Sequence, residues 1–192
     1  MPKIAFFINP TIRHFKKIEI DIQHHFLNQD YHFFISEYSG HFLTLPKRAV
    51  EEGFTHFIAV GGDGTLNEIV NGLIEAFRTE HGYDWERISQ IKIGILPSGS
   101  GNDFIKNLGY TTIDELQSLI AKDSSALVDV GFAEFLNREK QKAERFFINV
   151  SDVGIGGEVV ISKERLPLVF PGDVNYFIAI LSTFLMYKKK TI

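Results

Sequence analysis

Four short apolar runs, each followed by a stretch with helical periodicity, dominate the first half of this chain and restrict the folds open to it. The runs are residues 4–9 (IAFFIN), 32–37 (HFFISE), 56–60 (HFIAV) and 92–96 (KIGIL). Runs this short and this apolar suit strands covered on both faces. Between them, residues 16–29 place Ile18, Ile22 and Phe26 four apart, and residues 43–52 can be helical with Pro46 in the first turn. Residues 65–78 carry one apolar stripe: Leu66, Ile69, Val70, Leu73, Ile74 and Phe77. Strand–helix alternation of this kind predicts an α/β class, with a Rossmann-like, doubly wound and mostly parallel sheet. Farther along, the pattern predicts a polar loop over 79–90 and a short helix over 102–108 closed by Gly109. A helix over 113–121 follows, with Asp114 and Glu115 in its first turn, and then strands over 126–135 and 145–150.

Open parallel sheets bind ligands beyond the carboxyl ends of their strands, so the loops after the strands are the ones that can carry chemistry. After the third run comes Gly61-Gly62-Asp63-Gly64-Thr65, leading straight into the strongest helix. Glycines allow close approach of the backbone to a ligand, and a helix start offers free N–H groups and a positive dipole end. Together they make a phosphate cradle. It is not a P-loop, because GxxxxGK[ST] is absent, nor a dinucleotide fingerprint, because Asn67 stands where a third glycine would be. A carboxylate beside a polyanion needs a cation, so Asp63 is expected to hold Mg²⁺, directly or through water. The alternative is a turn that merely tolerates Asp. The loop after the fourth run repeats the logic with Ser98, Gly99, Ser100, Gly101, Asn102 and Asp103; the alternative there is an ordinary capped helix start. After the first run, Arg13 is a candidate phosphate contact or a solvated helix start. After the second come Ser36, Gly40 and His41.

Composition narrows the classes further. With 20 Lys+Arg against 24 Asp+Glu, the net charge of −4 argues against a nucleic-acid partner. The absence of cysteine removes disulfides, thiolate metal sites and a cysteine nucleophile, and suits a cytoplasmic setting. The first residues, MPKIAFFINP, do not read as a signal peptide. Eighteen phenylalanines suit an aromatic core or, alternatively, a surface that meets lipid. The apolar residues 174–187 are too few to span a bilayer, which takes about 20, and read as a buried or surface-lying helix. Lys188, Lys189 and Lys190 after it suggest peripheral contact with an anionic membrane, or simply a solvated helix end.

Residues 61–73 (GGDGTLNEIVNGL) together with 94–104 (GILPSGSGNDF) resemble the diacylglycerol kinase catalytic-domain family. That family includes bacterial lipid kinases and the sphingosine and ceramide kinases, and shares a superfamily with the NAD kinases. Asn9-Pro10 and the segment from Ser36 to His41 fall where the family places nucleotide contacts, and residues 146–159 (FFINVSDVGIGGEV) look like its crossing into a second domain. The resemblance implies an ATP-dependent lipid kinase that transfers phosphate from Mg-ATP to a lipid hydroxyl such as that of diacylglycerol. It implies that Asn9, Pro10, Thr11 and Ser36 contact ATP, and that Gly62, Asp63, Gly64, Thr65, Asn67 and Glu68 line the phosphates and metal. Ser100 keeps the hydroxyl of the family's usual Thr, while Asn102 and Asp103 shape the second loop. Ile12-Arg13 departs from the family's Ser-Gly. The resemblance further implies that residues 1–145 form the nucleotide-binding domain and that 146–192 begin a truncated β-sandwich domain. The general base would then lie in that second domain, with Asp63 assisting. An NAD kinase-like enzyme and a catalytically incomplete regulatory remnant are the alternatives, and a homodimer is left open.

Overall fold

The structure, a computed structural model, describes residues 2–98, 102–137, 139–151, 155–165 and 172–186. Two compact units divide the chain, one over Met1–Asn149 and one over Val150–Ile192. The first unit runs β1 (Lys3–Ile8), α1 (Phe15–His25), β2 (Asp30–Ile35), a 3₁₀ turn (His41–Leu43), α2 (Leu45–Glu51), β3 (His56–Gly61) and α3 (Asp63–Ala76). It continues through β4 (Arg78–Thr79), β5 (Gly82–Tyr83), α4 (Trp85–Ile88), β6 (Lys92–Pro97), a 3₁₀ turn (Ile105–Asn107), α5 (Ile113–Ala121), β7 (Gly131–Leu136) and β8 (Lys142–Phe147).

The expected α/β architecture is present. Strands β2, β1, β3 and β6, in that order, form one wholly parallel sheet. The two central strands are buried almost end to end, as strands covered on both faces must be, while β2 and β6 at the sheet edges are partly exposed. Successive side chains leave a strand on opposite faces, and the phenylalanines follow that rule. Phe6 packs edge-on against Phe26 at the end of α1, 5.0 Å between centroids, whereas Phe7 meets Phe34, Phe57 and Phe42. Among the described residues nine phenylalanines lie in this core, half of the chain's 18, so the phenylalanine content is in large part structural. On one flank α1 and α5 are fastened by His25 Nε2 and Asp114 Oδ1 (3.1 Å) and by Gln117 Nε2 donating to the His25 carbonyl. On the other, α3 buries its predicted stripe and passes so close to the 3₁₀ turn that a Cβ at Gly72 would lie 2.6 Å from the Phe42 carbonyl oxygen.

Three expectations need correction. Residues 79–90 are not a featureless loop: β4 and β5 pair, and Asp84 caps α4 by accepting the Arg87 N–H (3.1 Å). Pieces this short carry no periodicity to detect. The helix expected over 102–108 is only a 3₁₀ turn, closed by Gly109 at φ +71°. Strands β7 and β8 begin later than 126 and earlier than 145, and form an antiparallel hairpin apart from the parallel sheet. That hairpin belongs to the first unit, because the Asn71 side chain on α3 donates to the Phe146 carbonyl (2.9 Å) and accepts the Phe146 N–H (2.9 Å). The unit therefore runs to Asn149, past residue 145.

The second unit contains α6 (Ile155–Arg165) and α7 (Gly172–Met186), which pack on each other. Thr183 Oγ1 donates to Ser162 Oγ at 2.9 Å across them. Within α7, Ala179 and Thr183 are buried and Phe177, Leu181, Phe184 and Leu185 are exposed. No helix among the described residues is long and apolar enough to cross a membrane. Lys188, Lys189 and Lys190 lie outside the described residues.

Candidate functional site

Because all four sheet strands are parallel, their carboxyl ends share one rim. The residues following β1, β2 and β6 are each held there by one more ladder hydrogen bond. The Ser36 N–H reaches the Ile8 carbonyl (3.1 Å), the Asn9 N–H the Val60 carbonyl (3.3 Å), and the Ser98 N–H the Gly61 carbonyl (3.0 Å). The chain leaves β1 toward β2 on one side and leaves β3 toward β6 on the other, which makes β1/β3 the switch point where such sheets open a crevice. A cleft of about 520 Å³ opens there, lined by residues from the ends of β1, β2 and β3.

Helix α3 starts at the mouth of this cleft. Its N-cap, Gly62, has an extended backbone and offers no side-chain cap, and the first intrahelical bond is Leu66 N–H to the Gly62 carbonyl (3.1 Å). The N–H groups of Asp63, Gly64 and Thr65 thus have no partner within the helix. Gly64 lines the cleft, and a Cβ built on it meets nothing within 4 Å. Gly61 is different. A Cβ there would fall 2.5 Å from Thr65 Oγ1, so this glycine serves the packing of the turn.

Asp63 turns toward the other loop. Its two carboxylate oxygens accept the backbone N–H groups of Asp103 and Phe104, each at 3.0 Å. The carboxylate therefore clasps the loop after β6 to the loop after β3. At the end of β1, Asn9 Oδ1 accepts both the N–H (3.0 Å) and the hydroxyl (2.7 Å) of Thr11, which folds that loop back on itself.

Of the expected residues, the cleft brings together Asn9, Pro10, Thr11, Ser36, Gly62, Gly64, Thr65 and Glu68. Arg13 is exposed and outside it; Asn67 points its carbonyl to the Asn71 amide (2.8 Å). Ser98, Asn102 and Asp103 are not among the lining residues, and Asn102 has a left-handed backbone at φ +51°. Gly99, Ser100 and Gly101 lie outside the described residues. Four residues not singled out from the sequence also line the cleft: Glu37, Tyr38 and Ser39, inside the Ser36–His41 segment that the resemblance marks, and Phe42 just beyond it. The available signal was an aromatic residue in a glycine turn directly after a strand.

Among the described residues the lining includes two carboxylates, Glu37 and Glu68, and no lysine or arginine. A polyanion seated here would be met by backbone N–H groups and would need a cation to offset those carboxylates. No cluster of three or more His, Asp or Glu side chains among the described residues could hold a metal by itself. The donor set fits a hydrated Mg²⁺ shared with phosphate, since Mg²⁺ keeps several waters and takes only one or two protein carboxylates.

Comparison with known proteins agrees with this geometry. The family model described as the diacylglycerol kinase catalytic domain matches residues 3–133. The chain belongs to the diacylglycerol kinase catalytic-domain family. Against a diacylglycerol kinase of Staphylococcus carnosus (strain TM300) it is 33% identical over 133 residues, covering 69% of this chain and 37% of that protein. Against one of Staphylococcus aureus (strain JH9) it is 30% identical over 132 residues, covering 68% of this chain and 35% of that protein. A solved diacylglycerol kinase structure from Bacillus anthracis str. Sterne superposes with a TM-score of 0.50 at 27% identity, covering 70% of this chain and 46% of that one. The chain thus spans about half or less of the length of the relatives it matches. The family found is the one that the sequence motifs resemble.

Proposed function

We propose that this chain carries the nucleotide-binding half of an ATP-dependent lipid kinase that phosphorylates a lipid hydroxyl such as that of diacylglycerol. One observation carries the reading: a cleft at the β1/β3 switch point, into which Gly64 presents an open backbone at an uncapped helix start. Phosphoryl transfer asks mainly for positioning and charge neutralisation, and these residues are suited to both. The N–H groups of Gly64 and Thr65 would receive phosphate oxygens, and the Asn9–Thr11 loop and Ser36 would border the nucleotide. Bound Mg²⁺ would supply charge neutralisation at the transferred phosphate. Glu68 would hold it, with Asp63 acting through water, since each Asp63 oxygen keeps a second lone pair beyond its loop bond. The acceptor hydroxyl would lose its proton to a carboxylate. The second unit, from Val150 on, would begin the lipid-side domain.

The test is thermal unfolding with and without Mg-ATP for the wild-type chain and Gly64→Val. Ligand at about 100 times its Kd stabilises by roughly 2.7 kcal/mol, a rise of about 5–10 °C at this chain length. The wild type should show the shift. Gly64→Val should melt close to the wild type without ligand and gain little from Mg-ATP, because its side chain fills the space the phosphates need. No shift in the wild type, or an equal shift in the variant, would overturn the assignment.

A further inference from the structure

We propose that Tyr38 is the base platform of this site, a purine stacking on the face of its ring turned away from His41. The proposal rests on the cleft being a nucleotide site and names the residue that grips the base.

The platform is built by a four-residue turn. Gly40, at φ +82° and ψ 3°, has the backbone of the third position of a type II turn, and the His41 N–H closes the turn on the Tyr38 carbonyl at 3.2 Å. Residues 38 and 41 then lie side by side, and their rings stack at 4.3 Å between centroids and 18° between planes. The imidazole is fixed in turn, since its Nδ1 accepts the Glu37 N–H at 3.1 Å, which leaves the ring proton of the neutral form on Nε2. Tyr38 lines the cleft yet is 60% exposed, and among the described residues its one ring contact is His41. A large aromatic ring that lines the cleft, exposed and backed by His41, costs little further ordering when a flat ligand lands on it.

What should land there follows from the surroundings. Apart from Pro10, Tyr38 and the buried Phe42, the side chains that border the cleft are hydroxyls, an amide and carboxylates, which suits a flat ring that also carries polar edges. Ser36, Glu37 and Ser39 flank the platform as partners for sugar hydroxyls. The phosphate end would sit at Gly64, on the far side of the same cleft. Stacking uses the π-face that every base has, so the platform favours purines over pyrimidines without selecting adenine sharply.

The experiment measures Kd by calorimetry on the full chain at fixed free Mg²⁺, with ATP and with inorganic tripolyphosphate, for wild type, Tyr38→Phe and Tyr38→Ala. Tripolyphosphate keeps the phosphates and removes the base and the ribose, and the comparison of Tyr38→Ala with Tyr38→Phe isolates the ring. Stacking on one aromatic ring is worth about 1–3 kcal/mol, so Tyr38→Ala should weaken ATP by roughly 5- to 150-fold and leave tripolyphosphate unchanged. Tyr38→Phe, which keeps the ring, should match the wild type on both. The exposed position makes either variant compatible with folding, and unchanged melting temperatures check this. The platform is overturned if Tyr38→Ala binds ATP as the wild type does, or weakens both probes alike. It is also overturned, with the phosphate site still standing, if the wild type binds ATP no better than tripolyphosphate. A wild type that binds neither probe overturns the nucleotide reading together with the platform.

Discussion

Individual polar side chains fasten this fold where its ladders stop. Tyr110 is buried, and its hydroxyl accepts the N–H of Ile95 (2.9 Å) on the edge strand β6. Burial raises its pKa, so it stays a neutral phenol, and that hydroxyl is what pairs an otherwise orphaned donor. Tyr110→Phe leaves the buried N–H unpaired and should cost about 1–3 kcal/mol, read from the urea midpoint at unchanged m. His56 is buried at the start of β3, with Nδ1 3.0 Å from Thr55 Oγ1 and no hydrogen-bond partner at Nε2 among the described residues. Burial lowers its pKa below 6.5, reinforced by Lys92 and opposed by Asp123. The unfolded chain therefore takes up the proton first as pH falls. Stability is complete above the unfolded pKa and is lost as pH drops from 6.5 toward the lower folded value. Melting between about pH 7.5 and about pH 5.5 should show this loss, and His56→Leu should flatten it.

At the scale of elements, α3 decides the architecture. Its stripe covers one face of the sheet, its start faces the cleft, and Asn71 on its far side holds the β7–β8 hairpin. Two of its glycines look alike in sequence and differ in setting. Gly72 sits against the Phe42 and Leu43 carbonyl oxygens and Pro46 Cγ, all under 3.0 Å from where a Cβ would be, whereas Gly64 faces open space. Gly72→Ala should lose about 1–3 kcal/mol by forcing α3 away from backbone that cannot yield. Gly64→Ala should be neutral or slightly stabilising, since Ala is the better helix former. Chemical denaturation of the two variants side by side checks the contrast. Helix α5 is capped at its start by a reciprocal Thr112–Glu115 pair, so Glu115, placed in the first turn from the sequence, also serves as a cap.

At the scale of the molecule, the two units differ in how they are held. The first has a continuous core from Ile4 to Phe146 and closes its own ladders, so a fragment ending at Asn149 should fold alone. Its unfolding should be a single cooperative transition, with the protected amides of β1 and β3 exchanging only through global opening. Early exchange in those strands would show that the core depends on residues after 149. Among its described residues the second unit is a helix pair with large apolar side chains left exposed on α7.

Periodicity and turn chemistry are local, and for that reason the strand–helix order, the parallel sheet, the buried stripe of α3 and the glycine loops could all be read from the sequence. The rim on which those loops gather follows from the sheet being parallel. Pairings across long stretches of chain left no such trace. Asp63 meets the N–H groups of residues 103 and 104, some 40 positions away, and Asn71 meets Phe146 across 75. Nothing in the spacing of Asp63 distinguishes a carboxylate that clasps a loop from one that faces a metal. Its partner is fixed by where β6 delivers the second loop, just as the membership of Tyr38 in the cleft is fixed by where β2 ends beside β1. Hydrophobic burial needs only the right residue types at the right period, whereas a hydrogen bond or a ring stack needs two groups at one place, and only tertiary packing decides that.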